Sequence, residues 1–430
     1  MNNERKIAIH GLMKITKEKL YSNIAINRVL GQHQNLEPMQ KAFITDTLNG
    51  CLRNLLFIDN ILKKCLTKPL NKLTPFILAN LRVAVYQIYF MDRVPAFAIC
   101  NEAVNLTKKE GLANLSSFVN GVLRNILRNQ EGFADLSYIT SDVDRLSIQY
   151  SYTPWIITHF LNELGVDSTI KLLETNAKPP KVSIYTNTNK INKTNLMAIL
   201  NNEGVVVQES DFMPNSLKIS NTGDITQLSS FKSGLYHIID ESSVYAISRL
   251  QPKKGDRVLD LCAAPGGKSF LMAYLMNNEG EIIASDIHEH KIKLLKDGIS
   301  RLGLSIIKPQ LANALEYNPT YEGVFDIVIL DAPCSGLGII RKKPDIKLFK
   351  EDNIKELAQL QKDMLKVAYK YLKPSGKLLY STCTISKSEN EDNIDWATKN
   401  LPLQLLEHNQ ILPQHYGTDG FFVSILQRNS

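Results

Sequence analysis

At 430 residues, 44% apolar and 22% charged, the chain is too long for one ordinary core and suits a soluble protein of two or three domains. Its start carries Glu4, Arg5 and Lys6 where a secretion signal would be apolar, and its most apolar window, 77–90, is broken by Arg82, which argues against a membrane span and for a cytoplasmic location. The net charge of +7 sits at the front, where residues 1–140 hold 18 Lys+Arg against 10 Asp+Glu, a balance that suits either a phosphate backbone or an ordinary solvated helical surface.

The pattern from Glu4 to about Gln130 is helical, with few glycines and apolar residues three and four apart. Leu115, Phe118, Val119, Val122, Leu123, Ile126 and Leu127 predict one inward face, with Arg124 and Arg128 on the other and a break at Gly132. Thr74 before Pro75 predicts a helix start, since proline's missing N–H would have no partner in a first turn anyway. The first domain, 1–135, is thus expected to be an all-α bundle. Between 142 and 254 the texture changes, with Thr153-Pro154-Trp155, Pro179-Pro180 and a strand-like run at 181–185, which predicts a small α/β region over about 142–240. From Asp256 onward, apolar runs at 257–261, 281–285, 325–330 and 376–380 alternate with helical stretches, the signature of a doubly wound, mostly parallel sheet in a third domain at 241–430.

Ligands of such sheets lie beyond the carboxyl ends of the strands, so the residues that follow each run carry the information. Cys262, Ala263, Ala264, Pro265, Gly266, Gly267 and Lys268 form a small-residue turn into a helix, where backbone can approach a ligand closely. Asp286, twenty residues beyond Gly266, is placed to bond the hydroxyls of a ribose, so a nucleoside cofactor is expected. GxGxxG is absent, and a Walker A loop would need glycine at Cys262, which makes an ATPase the weaker reading; a tight turn without ligand is the bland one.

Two cysteines follow two further strands: Cys334 in Asp331-Ala332-Pro333-Cys334-Ser335-Gly336, and Cys383 in Ser381-Thr382-Cys383. A single buried cysteine is usually a small hydrophobe, but two facing one crevice beside a nucleoside loop suggest chemistry. C5 of a pyrimidine is not nucleophilic; a thiolate added at C6 turns the ring into an enamine that can take a methyl group. Asp331 is then placed to bond the cytosine edge, provided the base is single-stranded or flipped. The six cysteines show no CxxC pair, so neither zinc nor a disulfide scaffold is expected, and a base deaminase is disfavoured because no second cysteine completes P-C-x-x-C after Cys334.

These motifs resemble the NOL1/NOP2/Sun family of RNA cytosine-C5 methyltransferases: DLCAAPGGK at 260–268, DAPCS at 331–335, RKKPDIK at 341–347, LAQLQ at 357–361, Thr382-Cys383, Glu389-Asn390 and Asp419-Gly420-Phe421-Phe422, in that order over about 145–430. The resemblance implies S-adenosylmethionine as cofactor, a Rossmann-like catalytic domain, Cys383 as nucleophile, Cys334 in product release, and cofactor contacts from 262–268, Asp286 and Asp331. The front, with Leu81-Arg82, Ala84-Val85-Tyr86-Gln87 and Asn120-Gly121-Val122-Leu123-Arg124-Asn125, resembles the NusB RNA-binding fold. That domain order implies 16S rRNA, free or in an assembling small subunit, as the partner, with no obligate protein partner. Arg124, Arg128, Arg341, Lys342 and Lys343 are the candidate RNA contacts. Two departures stand out: Asn313 replaces an acidic residue, so any adenine contact from there would come from an amide, and 238–243 reads IIDESS, keeping the acidic pair Asp240-Glu241 but losing a glutamine. A binding factor for ribosome assembly with a vestigial site, or an enzyme acting on another RNA, remain the alternatives.

Overall fold

The computed structural model describes residues 4–18, 20–33, 35–92, 94–349 and 351–429. They form two compact units, one reaching to Ala177 and taking in Lys342–Phe349, the other built from Lys178–Arg341 and the chain from 351 on.

In the first unit, helices Glu4–Glu18, Ser22–Gly31, Pro38–Arg53, Leu55–Cys65, Pro75–Phe90, Ala96–Lys109 and Ser116–Arg128 enclose a core that includes Ile7, Leu12, Leu48, Leu81, Leu123 and Ile126. Thr74 stands just before the helix that Pro75 opens, where the sequence predicts the helix to start. The helix Ser116–Arg128 departs from expectation in detail. Leu115 belongs to a preceding 3₁₀ turn, Phe118 is 37% exposed, and the inward stripe is Val119, Val122, Leu123 and Ile126. At about 100° per residue Phe118 lies roughly 80° from the centre of that stripe, so spacing alone overstated the face's width. The chain breaks at Asn129 instead of Gly132, which lies inside a short helix, Gln130–Ala134. Helices Asp142–Tyr150, Pro154–Leu164 and Val166–Ala177 also belong to this unit, although their texture grouped them with the mixed region.

The inserted segment Lys342–Phe349 is anchored in the first unit by Lys347, which is 2% exposed. Its Nζ donates to the carbonyls of Arg53 at 2.9 Å and Tyr150 at 2.7 Å and lies 4.4 Å from the centre of the Tyr152 ring. Burial, with the Arg53 charge adding to it, pulls the ammonium pKa down to about 7. Lys347→Met would leave two carbonyls without a donor, at roughly 1–3 kcal/mol each, and should lower the melting temperature of this unit by roughly 4–24 °C in calorimetry. An unchanged melt would show the anchor to be dispensable.

The second unit holds two sheets. Strands β1 (Val182–Thr186), β2 (Val206–Glu209), β3 (Ser216–Ser220) and β4 (Tyr236–Ile238) form an antiparallel sheet in the order β2-β3-β1-β4, packed on Leu196 and Leu200 of the helix Lys193–Asn202. Strands β5 (Arg257–Asp260), β6 (Glu281–Asp286), β7 (Ile307–Leu311), β8 (Phe325–Asp331), β9 (Leu372–Thr382), β10 (Leu403–Ile411) and β11 (Phe421–Arg428) form a sheet in the order β10-β11-β9-β8-β5-β6-β7. β5 to β9 pair in parallel, and β10 and β11 close the far edge as an antiparallel hairpin. The continuous apolar run of β8 follows from cover on both faces, with Ile327 and Ile329 in one core and Val328 and Leu330 in the other. From β5 the sheet is built outward both ways, to β6 on one side and β8 on the other, so the crevice at the carboxyl ends of β5 and β8 is the topological switch point.

Candidate active site

The turn after β5 is shaped for close backbone approach. Gly266 has φ 114°, and a Cβ there would lie 2.3 Å from the Phe270 ring and 2.7 Å from Leu295, so both conformation and space demand glycine. Ala263 N donates to Ser285 O at 2.8 Å, which sets the loop beside the end of β6, where Asp286 accepts from His288 N at 3.0 Å. Ile287, next in the chain, is 57% exposed. A glycine cradle, a carboxylate and an exposed apolar side chain converge on one edge, which fits the sugar and base of a nucleoside cofactor. Asn313, after β7, is turned to local use: its Oδ1 accepts from Leu315 N at 3.1 Å and its Nδ2 donates to Glu316 at 3.2 Å.

Under this loop Asp260 is 1% exposed and accepts from Ser269 Oγ at 2.6 Å, while its Oδ1 has no side-chain partner. Burial pushes its carboxyl up to about 7, against the Ser269 bond that favours the anion. A folded-state pKa above the unfolded one means stability that is full at low pH and lost as pH rises toward 7. The melting temperature of Asp260→Asn should therefore gain on that of the wild type between about pH 4 and 7; a constant difference would show that Asp260 ionises normally.

Asp331, Lys268, Cys334 and Cys383 meet at the ends of β8 and β9. Lys268 Nζ lies 2.6 Å from Asp331 Oδ2 and 5.0 Å from the centre of the Phe421 ring. Ser381 Oγ donates to Asp331 Oδ1 at 2.7 Å, so both carboxylate oxygens are held. Burial opposes the Lys268 charge, but Asp331 outweighs it and holds the ammonium pKa above its ordinary value. The sulfurs of Cys334 and Cys383 are 3.2 Å apart. Contact with Cys383, and then burial, push the Cys334 thiol up. Burial does the same to Cys262, which lies in the cofactor loop.

Cys383 is seated by backbone. Its carbonyl accepts from Gly338 N at 2.9 Å, and Gly338 O accepts from Gly420 N at 2.9 Å. A Cβ on Gly338 would fall 1.9 Å from Gly420 O, so three segments meet where only glycine fits. Ser381, Gly338 and Gly420 went unassigned in the sequence; the one available signal was the place of Gly420 in the closing 419–422 motif. The acidic pair at 240–241 is structural here: Asp240 Oδ1 caps Ser242 N at 3.1 Å and accepts from Asp419 N at 3.1 Å, and buried Glu241 pairs with Lys218 at 3.1 Å.

The RNA candidates divide. Arg341 is 8% exposed and gives its guanidinium to the carbonyls of Lys178, Pro179 and Gly417, which ties the loop before Asp419 instead of presenting a charge. Lys342, Lys343, Arg124 and Arg128 are exposed. Among the described residues, no cluster of His, Cys, Asp and Glu could hold a metal ion, and no helix is long and apolar enough to cross a membrane.

Three family models match the chain: the NusB family over residues 2–128, an RsmF/B-like ferredoxin-like domain over 152–226, and 16S rRNA methyltransferase RsmB/F over 247–427. The small antiparallel sheet is thus ferredoxin-like. The crystal structure of PH0851 is similar over 100% of this chain and 99% of its own, with a TM-score of 0.84 and 29% identity. A methyltransferase homolog from Pyrococcus horikoshii covers 67% of this chain with a TM-score of 0.61. Among curated relatives, the ribosomal RNA small subunit methyltransferase B of Proteus mirabilis is 28% identical over 99% of both chains. The probable ribosomal RNA small subunit methyltransferase B of Bacillus subtilis is 34% identical over 99% of this chain and 98% of its own. A likeness of that extent, running through all three regions in the same order, means that this chain belongs to the ribosomal RNA small subunit methyltransferase B family.

Proposed function

We propose that the protein methylates C5 of one cytosine of 16S rRNA, the base at position 967, using S-adenosylmethionine, with Cys383 as nucleophile. The observation that carries this reading is the thiol pair, 3.2 Å apart, beside the Lys268–Asp331 pair at the sheet's switch point. The loop 262–268 and Asp286 would hold the cofactor. When bound, it supplies an electrophilic methyl group on a sulfonium.

The chain's own residues do the rest. Cys383 adds as thiolate to C6 of the cytosine, forming an S–C6 bond and pushing the ring electrons toward N3 and C5. Lys268 lies close enough for its charge to attract that thiolate. Asp331, fixed by Lys268 and Ser381, bonds the polar edge of the base and stabilises the charge that develops there. After C5 gains its methyl group, its proton passes to a water molecule, the C–H electrons form the C5=C6 double bond, the C6–S pair leaves on Cys383 as thiolate, and Cys334, against Cys383, assists this release. The base must leave its stack to reach the thiols.

Exposed Arg124, Arg128, Lys342 and Lys343 are proposed to contact phosphates, and Arg341 is not carried forward because its guanidinium is engaged. Arg124→Ala/Arg128→Ala should weaken RNA binding evenly across sequences and reduce the salt slope of the affinity by about 1–2, as measured by filter binding from low to moderate salt. An unchanged slope would remove this helix from the interface.

The function is tested by incubating the protein with labelled S-adenosylmethionine and unmodified 16S rRNA, naked or in small-subunit particles, and mapping the label by nuclease digestion. Label on a single 5-methylcytosine supports the reading. No transfer, with no cofactor binding by calorimetry, would favour an assembly factor with a vestigial site.

A further inference from the structure

We propose that Glu389, acting with Gln361, is a positioning residue for product release: it clamps the turn that carries Cys334 against the turn that carries Cys383. The proposal rests on the covalent reading given under Proposed function. Glu389 is fully buried, and its carboxylate accepts from Ser335 N at 2.8 Å and from the Ser335 hydroxyl. Gln361 Nε2 reaches Glu389 Oε1 at 3.1 Å and the carbonyl of Pro333 at 2.9 Å. Ser335 is therefore tied to the buried acid directly, and Pro333 is tied to it through Gln361. Ser335 Oγ lies 2.7 Å from Thr384 Oγ1, which joins the residue after Cys334 to the residue after Cys383.

Neither clamping side chain is free to drift. Gln361 Oε1 accepts from Tyr380 OH at 3.2 Å and from Asn393 Nδ2 at 2.8 Å. The Glu389 carbonyl accepts from Tyr380 OH at 2.5 Å and Asn393 Nδ2 at 3.2 Å. Cys383 has independent supports. Asn390 brackets it through Thr382 Oγ1 at 2.5 Å and Thr384 O at 3.2 Å, and Gly338 N bonds its carbonyl. The two turns thus depend unequally on Glu389: the Cys334 turn is held by it at Ser335 and, through Gln361, at Pro333, while the Cys383 turn meets it at Thr384 and keeps its strand, Asn390 and Gly338 besides.

That asymmetry predicts which step suffers. Addition of Cys383 to the base should survive loss of the clamp, whereas release, which needs Cys334 against Cys383, should slow. Glu389→Gln keeps the shape but replaces one acceptor oxygen with an amide that faces donors. Ser335→Ala is the milder second variant, since it keeps the backbone bond to Glu389 and removes only the hydroxyl.

The full-length variants are compared with wild type and Cys334→Ala for steady-state transfer, melting temperature, and covalent protein–RNA adduct that survives denaturing gel electrophoresis. For Glu389→Gln, kcat should fall about 10- to 100-fold, KM for RNA and cofactor should move less than about threefold, and adduct should accumulate toward the Cys334→Ala level, with Ser335→Ala between it and wild type. If Cys334→Ala traps RNA but neither clamp variant does, or if their activity falls only in step with their melting temperature, Glu389 is a scaffold residue and the assignment fails. If Cys334→Ala itself traps nothing, the covalent reading falls and the clamp's role in release falls with it.

Discussion

Cys383→Ala is expected to lose at least about 10⁴-fold in methyl transfer, because in the proposed reaction it is the Cys383 thiolate, added at C6, that makes C5 nucleophilic. Cys334→Ala should behave differently: it should turn over slowly and accumulate RNA covalently bound through Cys383. The contrast matters because the sulfurs lie 3.2 Å apart, so proximity alone does not say which one attacks. Their surroundings do differ. Cys334 is pushed up by its neighbour and by burial, which favours its thiol form, and Cys383 directly follows the strand that carries Ser381, the partner of Asp331. Single-turnover transfer and a denaturing gel on the two variants decide the matter. An active Cys383→Ala beside a dead Cys334→Ala would reverse the roles.

The second large effect is expected at Asp331→Asn. The carboxylate faces Lys268, whose side chain is only 12% exposed, and in the proposed function it is the acceptor for the base. Removing its charge should lower kcat/KM by about 10²–10³-fold, the usual range for loss of a preorganised electrostatic contact. It should also destabilise the protein, because the ammonium is left in a site shaped for a pair. Asp331 is 30% exposed, so water screens the loss, and about 1–2 kcal/mol is expected in place of the larger cost of a fully buried pair. Adding Lys268→Met to Asp331→Asn should recover part of the stability and none of the activity. Fully additive losses, read by calorimetry and kinetics on the three variants, would mean that the two residues act independently.

Most residues of the candidate site could be picked before any fold was known. Strand ends in a doubly wound sheet face one crevice, so Gly266, Asp286, Asp331, Cys334 and Cys383 could be picked from their place after apolar runs, and the structure brings Asp331, Cys334 and Cys383 together around Lys268. β7 showed no apolar run because it is an edge strand with mixed exposure and carries Lys308 and Gln310 among its apolar residues. β10 was missed for a related reason: nearly half of it faces solvent, and an alternating edge strand lacks the continuous run that marked its parallel neighbours.

The sequence by itself determined the helical front, the α/β back and the residues at the strand ends, because periodicity and turn chemistry are local properties that survive in a single chain. Only the tertiary structure decided that Lys342–Phe349 leaves the catalytic unit to anchor in the helical one, that Arg341 is spent on carbonyls, and that Glu389 joins both cysteine turns. A charged residue looks the same in sequence whether it meets water or a buried partner, and which it meets depends on chain segments far apart that are brought together only by the packed fold.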